Sequence, residues 1–303
     1  MVTESKQILI TGGTGFIGSY LSEELLKAGH YLMMVTRSPE KYSDDQAKNL
    51  QYIGWDDQLL EAVNRADIII NLVGESLFGS RWTEAVKKRI YDSRIENTRK
   101  LVQLLAKAQS KPDLFISASG ISIYGDQGDT ILDESSPMGE GFLAEVCIDW
   151  EKEALKAKEY DVRVAVPRIG IVLEGDGGFL EKMKFPFMFF VGGPIGDGKQ
   201  YVPWIHMSDL CRAILYPMEN PDISGPYNAC SPAPVTMNEI AFEMGKIMNR
   251  PSFFRVPEFA LKMVLGEAAQ PALESLRVHP KMLQISGFEF EYKDLGEALA
   301  DIL

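Results

Sequence analysis

Residues 11–18 read TGGTGFIG, and this short stretch restricts the fold of the chain more than any other. It follows directly on an apolar run, QILIT, at Gln7–Thr11. It opens a segment over residues 16–28 in which Phe16, Ile17, Tyr20, Leu21 and Leu25 recur at helical spacing, and Gly29 ends it. The glycines fall as Gly12-x-x-Gly15-x-x-Gly18. Gly12 allows a tight turn out of the strand, Gly15 lets a pyrophosphate approach the backbone, and Gly18 lets the helix pack closely on the sheet. The helix N-terminus then presents unpaired N–H groups and a positive dipole end to the anion. A Gly-rich turn without a ligand is the plain alternative; the strand before and the amphipathic helix after favour a dinucleotide.

The first half continues in the same rhythm. Strands are expected at 31–36, 51–54, 67–73, 114–119 and 162–167, with helices over 82–109 and 150–158. The run at 67–73 is apolar in its middle, which predicts burial on both faces. Strand–helix alternation with right-handed crossovers gives an α/β fold, a Rossmann-type doubly wound parallel sheet. Ligands bind such sheets at the carboxyl ends of the strands, which directs attention to 11–18, 36–38, 71–75, 118–124 and 168–171. After about residue 170 the rhythm breaks and Gly and Pro become dense. Residues 192–206 read as a structured loop, 238–248, 257–265 and 295–303 as helices, and 288–292 as a strand. The expected division is a dinucleotide-binding domain over 1–170 and a smaller, interleaved substrate lobe over 171–303.

The end of the second strand bears on the choice of cofactor. An acid there bonds the ribose 2′-OH of NAD, but this chain reads Val35-Thr36-Arg37-Ser38. Arg37 suits a 2′-phosphate, with hydroxyls from Thr36 and Ser38 and charge from Lys41. NADP(H) is therefore expected over NAD(H), an arginine merely solvated on its loop being the plain alternative.

Further segments carry a resemblance. GGTGFIG, NLVGE (71–75), ISASGISIYG (116–125) and PRIGIVL (167–173) resemble the extended branch of the short-chain dehydrogenase/reductases, which includes the sugar-nucleotide epimerases. More narrowly, SRWTEAVKKRIYDSRIENT (80–98), AEVCIDWE (144–151), GGPIGDGKQYVPWIHMSD (192–209), GPYNACSPAPVT (225–236) and LRVHPKMLQISGFEF (276–290) resemble the epimerase family proteins that carry a C-terminal domain of unknown function. The resemblance implies that the last ~50 residues are a family-specific module. It implies that Gly12, Thr14, Gly15, Phe16, Ile17 and Gly18 hold the pyrophosphate and that Arg37 faces the 2′-phosphate. Trp55 and Asp56 would border the adenine, and Leu72, Val73 and Gly74 the adenine ribose and the path to the nicotinamide. Ser119 would face the reacting carbon, with Arg168 and Ile169 beside the nicotinamide.

The chain departs from the superfamily at its acid/base pair. Tyr-x-x-x-Lys is the usual arrangement, yet no tyrosine here has Lys four residues later. Tyr124, in the same loop as Ser119, is the first candidate acid, with a ring packed under the loop as its alternative. Glu75 is the second, on the expectation of a raised pKa. Cys147, Asp149 and Glu151 stand near the place of the missing pair, Cys147 reading more simply as a small buried hydrophobe. Arg94 is read either as the anchor of a substrate carboxylate or phosphate or as an ordinary helix arginine. Tyr201, Trp204 and His206 suggest a substrate pocket, although His206 also fits a strand-to-helix junction capped by Ser208 or Asp209.

Composition narrows the partners. A net charge of -12 disfavours nucleic acid. Three scattered cysteines and three isolated histidines show neither a disulfide framework nor metal-ligand spacing, so no metal is expected. The N-terminus lacks a signal-peptide pattern, and the most apolar stretch, 185–191, is far below the roughly 20 residues of a membrane span and reads as core or pocket wall. A cytoplasmic protein with a small-molecule substrate and no membrane partner is expected, homodimerisation being left open. The leading function is an NADP(H)-dependent oxidoreductase or epimerase-like enzyme; the alternative is a non-catalytic NADP(H)-binding sensor or regulator.

Overall fold

The computed structural model describes residues 4–42, 48–77 and 80–303. The first strands and helices are β1 (Gln7–Thr11), α1 (Phe16–Lys27), β2 (Tyr31–Val35), β3 (Leu50–Ile53), α2 (Gln58–Arg65), β4 (Ile68–Asn71), α3 (Glu84–Lys107) and β5 (Leu114–Ser117). There follow β6 (Ser119–Gly120), β7 (Ile131–Leu132), α4 (Phe142–Leu155), β8 (Arg163–Ile169) and β9 (Ile171–Leu173). The later part holds α5 (Gly178–Met188), β10 (Tyr201–Val202), β11 (Trp204–His206), α6 (Met207–Glu219), β12 (Gly225–Ala229), α7 (Met237–Met248) and α8 (Glu258–Leu265). Three short helices complete it: α9 (Gln270–Leu273), α10 (Lys281–Ile285) and α11 (Leu295–Ile302).

The central sheet runs β12-β8-β5-β4-β1-β2-β3, with every pair parallel. Strand order reverses between β1 and β4, so the crevice for a ligand opens at their carboxyl ends. Alternation along β1 explains the two helical layers. Ile8 and Ile10 pack with Leu21 and Leu25 of α1 and Leu210 and Ile214 of α6. Leu9 points the other way, into a core with Val63 of α2, Leu101 and Leu105 of α3 and Ala154 of α4. A separate core under the later segments joins Leu180 and Phe187 to Trp204, Ile240, Met244, Leu295 and Leu299. The last strand of the sheet, β12, comes from beyond residue 170, so the later half contributes to the first half's sheet.

Three sequence expectations need correction. Residues 288–292 alternate like a strand but pair with none among the described residues. Instead, both oxygens of the buried Asp209 carboxylate accept backbone N–H groups, Oδ1 from Glu291 at 2.9 Å and Oδ2 from Tyr292 at 2.8 Å, while Phe288 and Phe290 fill the core. A side chain thus supplies the hydrogen bonds that a neighbouring strand would have supplied. Residues 185–191 are largely surface, not core: Phe187 is fully buried, but Phe185, Phe189, Phe190 and Val191 are exposed, because the run straddles the end of α5. The cap of α6 is His206 itself, whose Nδ1 accepts the Ser208 N–H at 3.2 Å.

Candidate dinucleotide and substrate site

The turn after β1 is built around close backbone approach. Gly12 has φ +75°, and a Cβ there would lie 2.7 Å from the Leu72 carbonyl. A Cβ on Gly18 would lie 2.1 Å from Gly12 O, so this glycine lets α1 close onto the turn itself, not onto the sheet as its spacing implied. Gly15 precedes α1 in extended conformation with no side-chain cap, which leaves the N–H groups of Phe16, Ile17 and Gly18 without intrahelical partners. Thr14 and Gly15 are exposed beside them. These donors and the helix dipole form an anion cradle that a pyrophosphate fits.

A buried polar hub fixes this turn against the sheet. Thr11 Oγ1 donates to Asn71 Oδ1 at 2.7 Å. Asn71 Nδ2 donates to Thr98 Oγ1 at 2.8 Å and Ser117 Oγ at 3.0 Å, and Trp150 Nε1 donates to the same Thr98 oxygen at 2.9 Å. Four elements and the foot of the turn are thereby joined through one carboxamide. The sequence placed Asn71 at a strand end but gave no sign of this role.

At the end of β2, Ser38 N–H reaches Thr36 Oγ1 at 3.4 Å and Lys41 N–H reaches Ser38 O at 3.2 Å, a turn that leaves Arg37 exposed. Trp55 is half-buried beneath Lys100, whose Nζ lies 5.5 Å from the ring centroid. Asp56 Oδ1 accepts the Gln58 N–H at 3.0 Å at the start of α2. Leu72 and Val73 are half-buried beside the turn, and Gly74 is exposed. The Phe16 ring lies against Gly177 and Gly178, linking the turn to α5.

Ser119 is buried, and its Oγ makes no well-aligned hydrogen bond among the described residues, the Cys147 thiol being the polar group that faces it. Cys147 approaches it from α4, and a Cβ on Gly120 would lie 3.4 Å from Cys147 Sγ. Burial pushes the Cys147 thiol up to about 11, which makes it a poor acid or nucleophile. Arg94 packs under Gly74, where a Cβ would lie 2.9 Å from its Cζ. Arg94 Nη1 donates to the carbonyls of Glu75 and Ile90, each at 3.1 Å, and the guanidinium lies over the Trp150 ring at 5.3 Å. Burial lowers its pKa, with the field of Cys147 and Glu75 opposing, and no carboxylate among the described residues pairs with it. Glu75 is half-exposed and faces Arg89 Nε at 3.7 Å.

The other candidates are accounted for internally. Arg168 Nε and Nη2 grip the Glu151 carboxylate at 2.8 and 2.9 Å. Its Nη1 donates to Tyr124 Oη at 2.8 Å, and Tyr124 donates to Asn228 Oδ1 at 2.7 Å. Burial opposes the charge of Arg168, but the Glu151 carboxylate prevails and raises its pKa. Tyr124 is fully buried and held up to about 12 by that burial, against Arg168 and Asn228. The expected acid Tyr124 and the expected nicotinamide neighbour Arg168 are therefore each other's partners in the interior. Ile169 lies half-buried against the core cluster of Ile95, Ala118, Val146 and Trp150. Asp149 accepts the Tyr91 hydroxyl at 2.7 Å, which leaves none of the three α4 candidates as a free acid.

The expected substrate residues of the later part do not gather here. Trp204 is fully buried, donating to Ala233 O at 3.1 Å. His206 stacks on Tyr292 at 3.8 Å, and burial holds its imidazole below the ordinary value although Asp301 opposes. Its Nε2 lies 3.3 Å from Asp301 Oδ2 without hydrogen-bond alignment. Tyr201 is half-buried in β10 beneath Arg277. A cleft of about 820 Å³ opens between Gly196, Gln200, Glu258 and Glu274; it draws on the 192–209 stretch, which the sequence reads as suiting a small-molecule pocket, but not on Tyr201, Trp204 or His206. A smaller depression lined by Trp82, Ser122 and Leu143 shares Gln270 and Glu274 with it. No metal-binding group of His, Cys, Asp or Glu occurs among the described residues.

Comparison with known proteins places this architecture. The model of the NAD dependent epimerase/dehydratase family matches residues 8–230. The chain belongs to that family. Residues 256–302 match a domain of unknown function, DUF1731. An Arabidopsis thaliana chloroplastic homologue of the epimerase family protein SDR39U1 is 40% identical, over 98% of this chain and 86% of the relative. Epimerase family protein YfhF of Bacillus subtilis is 37% identical over 98% and 97% of the two chains. The crystal structure of human epimerase family protein SDR39U1 with NADPH superposes with a TM-score of 0.88 at 31% identity, covering 98% of each chain. The Rossmann-type α/β fold expected from the sequence is the fold of this family member.

Proposed function

We propose that this protein binds NADP(H) and acts on a small molecule as an oxidoreductase or epimerase-like enzyme. The observation that carries the reading is the uncapped, glycine-closed start of α1, with the exposed Arg37 in place of an acid after β2. The NADPH of the human relative supports the same cofactor. When bound, the nicotinamide supplies hydride exchange at a carbon bearing oxygen.

The chain's own residues perform the remaining tasks. The N–H groups of Phe16, Ile17 and Gly18 bind the pyrophosphate, with Thr14 beside them. Arg37, Thr36 and Ser38 bind the 2′-phosphate, and Trp55 and Asp56 border the adenine. Leu72, Val73 and Gly74 form the wall toward the reacting end. Ser119 Oγ, the buried hydroxyl without a well-aligned hydrogen bond, orients the substrate oxygen. Arg94 holds an anionic group of the substrate, since its guanidinium has no carboxylate of its own. Glu75, whose backbone carbonyl accepts from Arg94, is the half-exposed carboxylate at this end of the site and the second candidate acid.

Titration with NADPH and NADH tests the cofactor: NADPH binds more tightly, and preference for NADH would refute the role of Arg37. Screening NADPH oxidation against carbonyl compounds tests turnover. One observation favours a second reading, a non-catalytic NADP(H) sensor: the Tyr124 hydroxyl is sealed between Arg168 and Asn228. Tight NADPH binding with no turnover of any carbonyl class would select it.

A further inference from the structure

Ten of the sixteen large apolar side chains exposed among the described residues fall in two segments, 185–191 and 253–264. Helix α8 buries none of its eight residues, and Phe259, Met263 and Val264 are 69%, 71% and 67% exposed. The two segments meet along residues 190–194 and 250–256. Phe254 N–H donates to Gly192 O at 3.1 Å, Val256 N–H to Pro194 O at 3.0 Å, and the Arg250 guanidinium lies 4.3 Å from the Phe190 ring centroid. A patch of this kind costs solubility unless it meets a partner.

Charge identifies the partner. The chain as a whole carries -12, yet residues 181–191 and 250–264 hold five basic side chains against two acidic ones. Glu181 and Glu258 pair with Lys182 and Lys262 on their own helices. Lys184, Arg250 and Arg255 have no carboxylate partner among the described residues. A second copy of the chain in a two-fold interface would bring this net-positive patch against the same net-positive patch. Apolar side chains rimmed by unpaired cations instead match the boundary between acyl chains and anionic headgroups.

We propose that this face docks peripherally on an anionic lipid surface, with Phe185, Phe189, Phe259 and Met263 entering the headgroup boundary and Lys184, Arg250 and Arg255 meeting its phosphates. No helix among the described residues is long and apolar enough to cross a membrane, so the contact lies in the plane of the surface. The proposal revises the expectation of no membrane partner, which rested on span length alone. It is independent of the cofactor assignment.

The test is sedimentation of the full chain with phosphatidylcholine vesicles, with and without about 30% phosphatidylglycerol. Binding requires the anionic lipid and weakens several-fold at about 0.5 M salt. The double variant F259D/M263D binds about tenfold more weakly or worse. K184E/R255E loses several-fold on anionic vesicles. I285D, altering a side chain 71% exposed on α10, binds normally. Equal unfolding midpoints show that the variants fold. No binding to anionic vesicles, or full binding by F259D/M263D, overturns the proposal. So does a homodimer in light scattering that F259D/M263D splits into monomers, because a second copy would then own the face.

Discussion

The glycine turn and the Glu151–Arg168–Tyr124 chain both lie at the carboxyl edge of the sheet, yet they treat polar groups in opposite ways. Along the chain the donors meet acceptors: Arg168 divides its guanidinium between Glu151 and Tyr124, and the Tyr124 hydroxyl donates to Asn228 Oδ1. At the turn and beside it, donors are left over: the first N–H groups of α1, the Ser119 hydroxyl and the free face of Arg94. Satisfied polar groups hold a fold together, and an unsatisfied donor at the ligand-binding edge of the sheet is available to a ligand. The comparison separates the two kinds of residue where residue type alone does not.

It can be broken most directly at its satisfied half. Glu151→Ala strands the buried Arg168 charge and lowers stability by about 3–5 kcal/mol, read from urea unfolding. A loss below about 1 kcal/mol would mean that the pair is not a structural element. At the other half, Gly18→Ala sets a methyl against Gly12 O and weakens NADPH binding about 100-fold, followed by nicotinamide fluorescence. Unchanged affinity would remove the turn from the site. Arg37→Glu costs NADPH about 1–3 kcal/mol while leaving NADH within about threefold, and equal losses for both would sink the 2′-phosphate assignment.

A matched pair of small substitutions sharpens the contrast. Tyr124→Phe removes two internal hydrogen bonds and costs about 1–3 kcal/mol of stability. Ser119→Ala removes a hydroxyl that makes no well-aligned hydrogen bond and leaves stability within about 0.5 kcal/mol, while lowering turnover wherever turnover is found. Reversal of the two stability results would mean that the labels had been exchanged.

The smallest effect concerns pH. Burial holds His206 below its ordinary 6.5 in the folded state, so protonation favours the unfolded chain. Its contribution is present above 6.5 and is lost as pH falls from there through the folded value. His206→Asn keeps a capping side chain and loses less stability than the native protein between about pH 7 and pH 5. An identical acid-side decline in both would assign the loss to other groups, such as His30, whose pKa burial also lowers.

The fold was legible because its signals are local. Gly12 and Gly29 punctuate the chain at the ends of β1 and α1, and the runs at 8–10 and 68–70 are apolar because helices cover both faces of their strands. The anion turn was legible for the same reason. Satisfaction is not local. Tyr124 and Asn228 lie 104 residues apart in sequence, and Arg168 and Glu151 meet only because α4 packs beside β8. Asp209 replaces a strand partner for residues 82 and 83 positions away. Trp204 and the run at 185–191 mislead by residue type alone: one aromatic is core, and most of the others face outward.

The hub at Asn71 has an optical consequence. One continuous path of hydrogen bonds runs from the Trp150 indole through Thr98 and Asn71 to Thr11, at the foot of the anion turn. The emission of a tryptophan tied at its nitrogen shifts when that bond is strained or relaxed. With the other tryptophans left in place, comparison of the native protein with Trp150→Phe isolates the part of the emission that reports from the protein's interior whether the turn is filled.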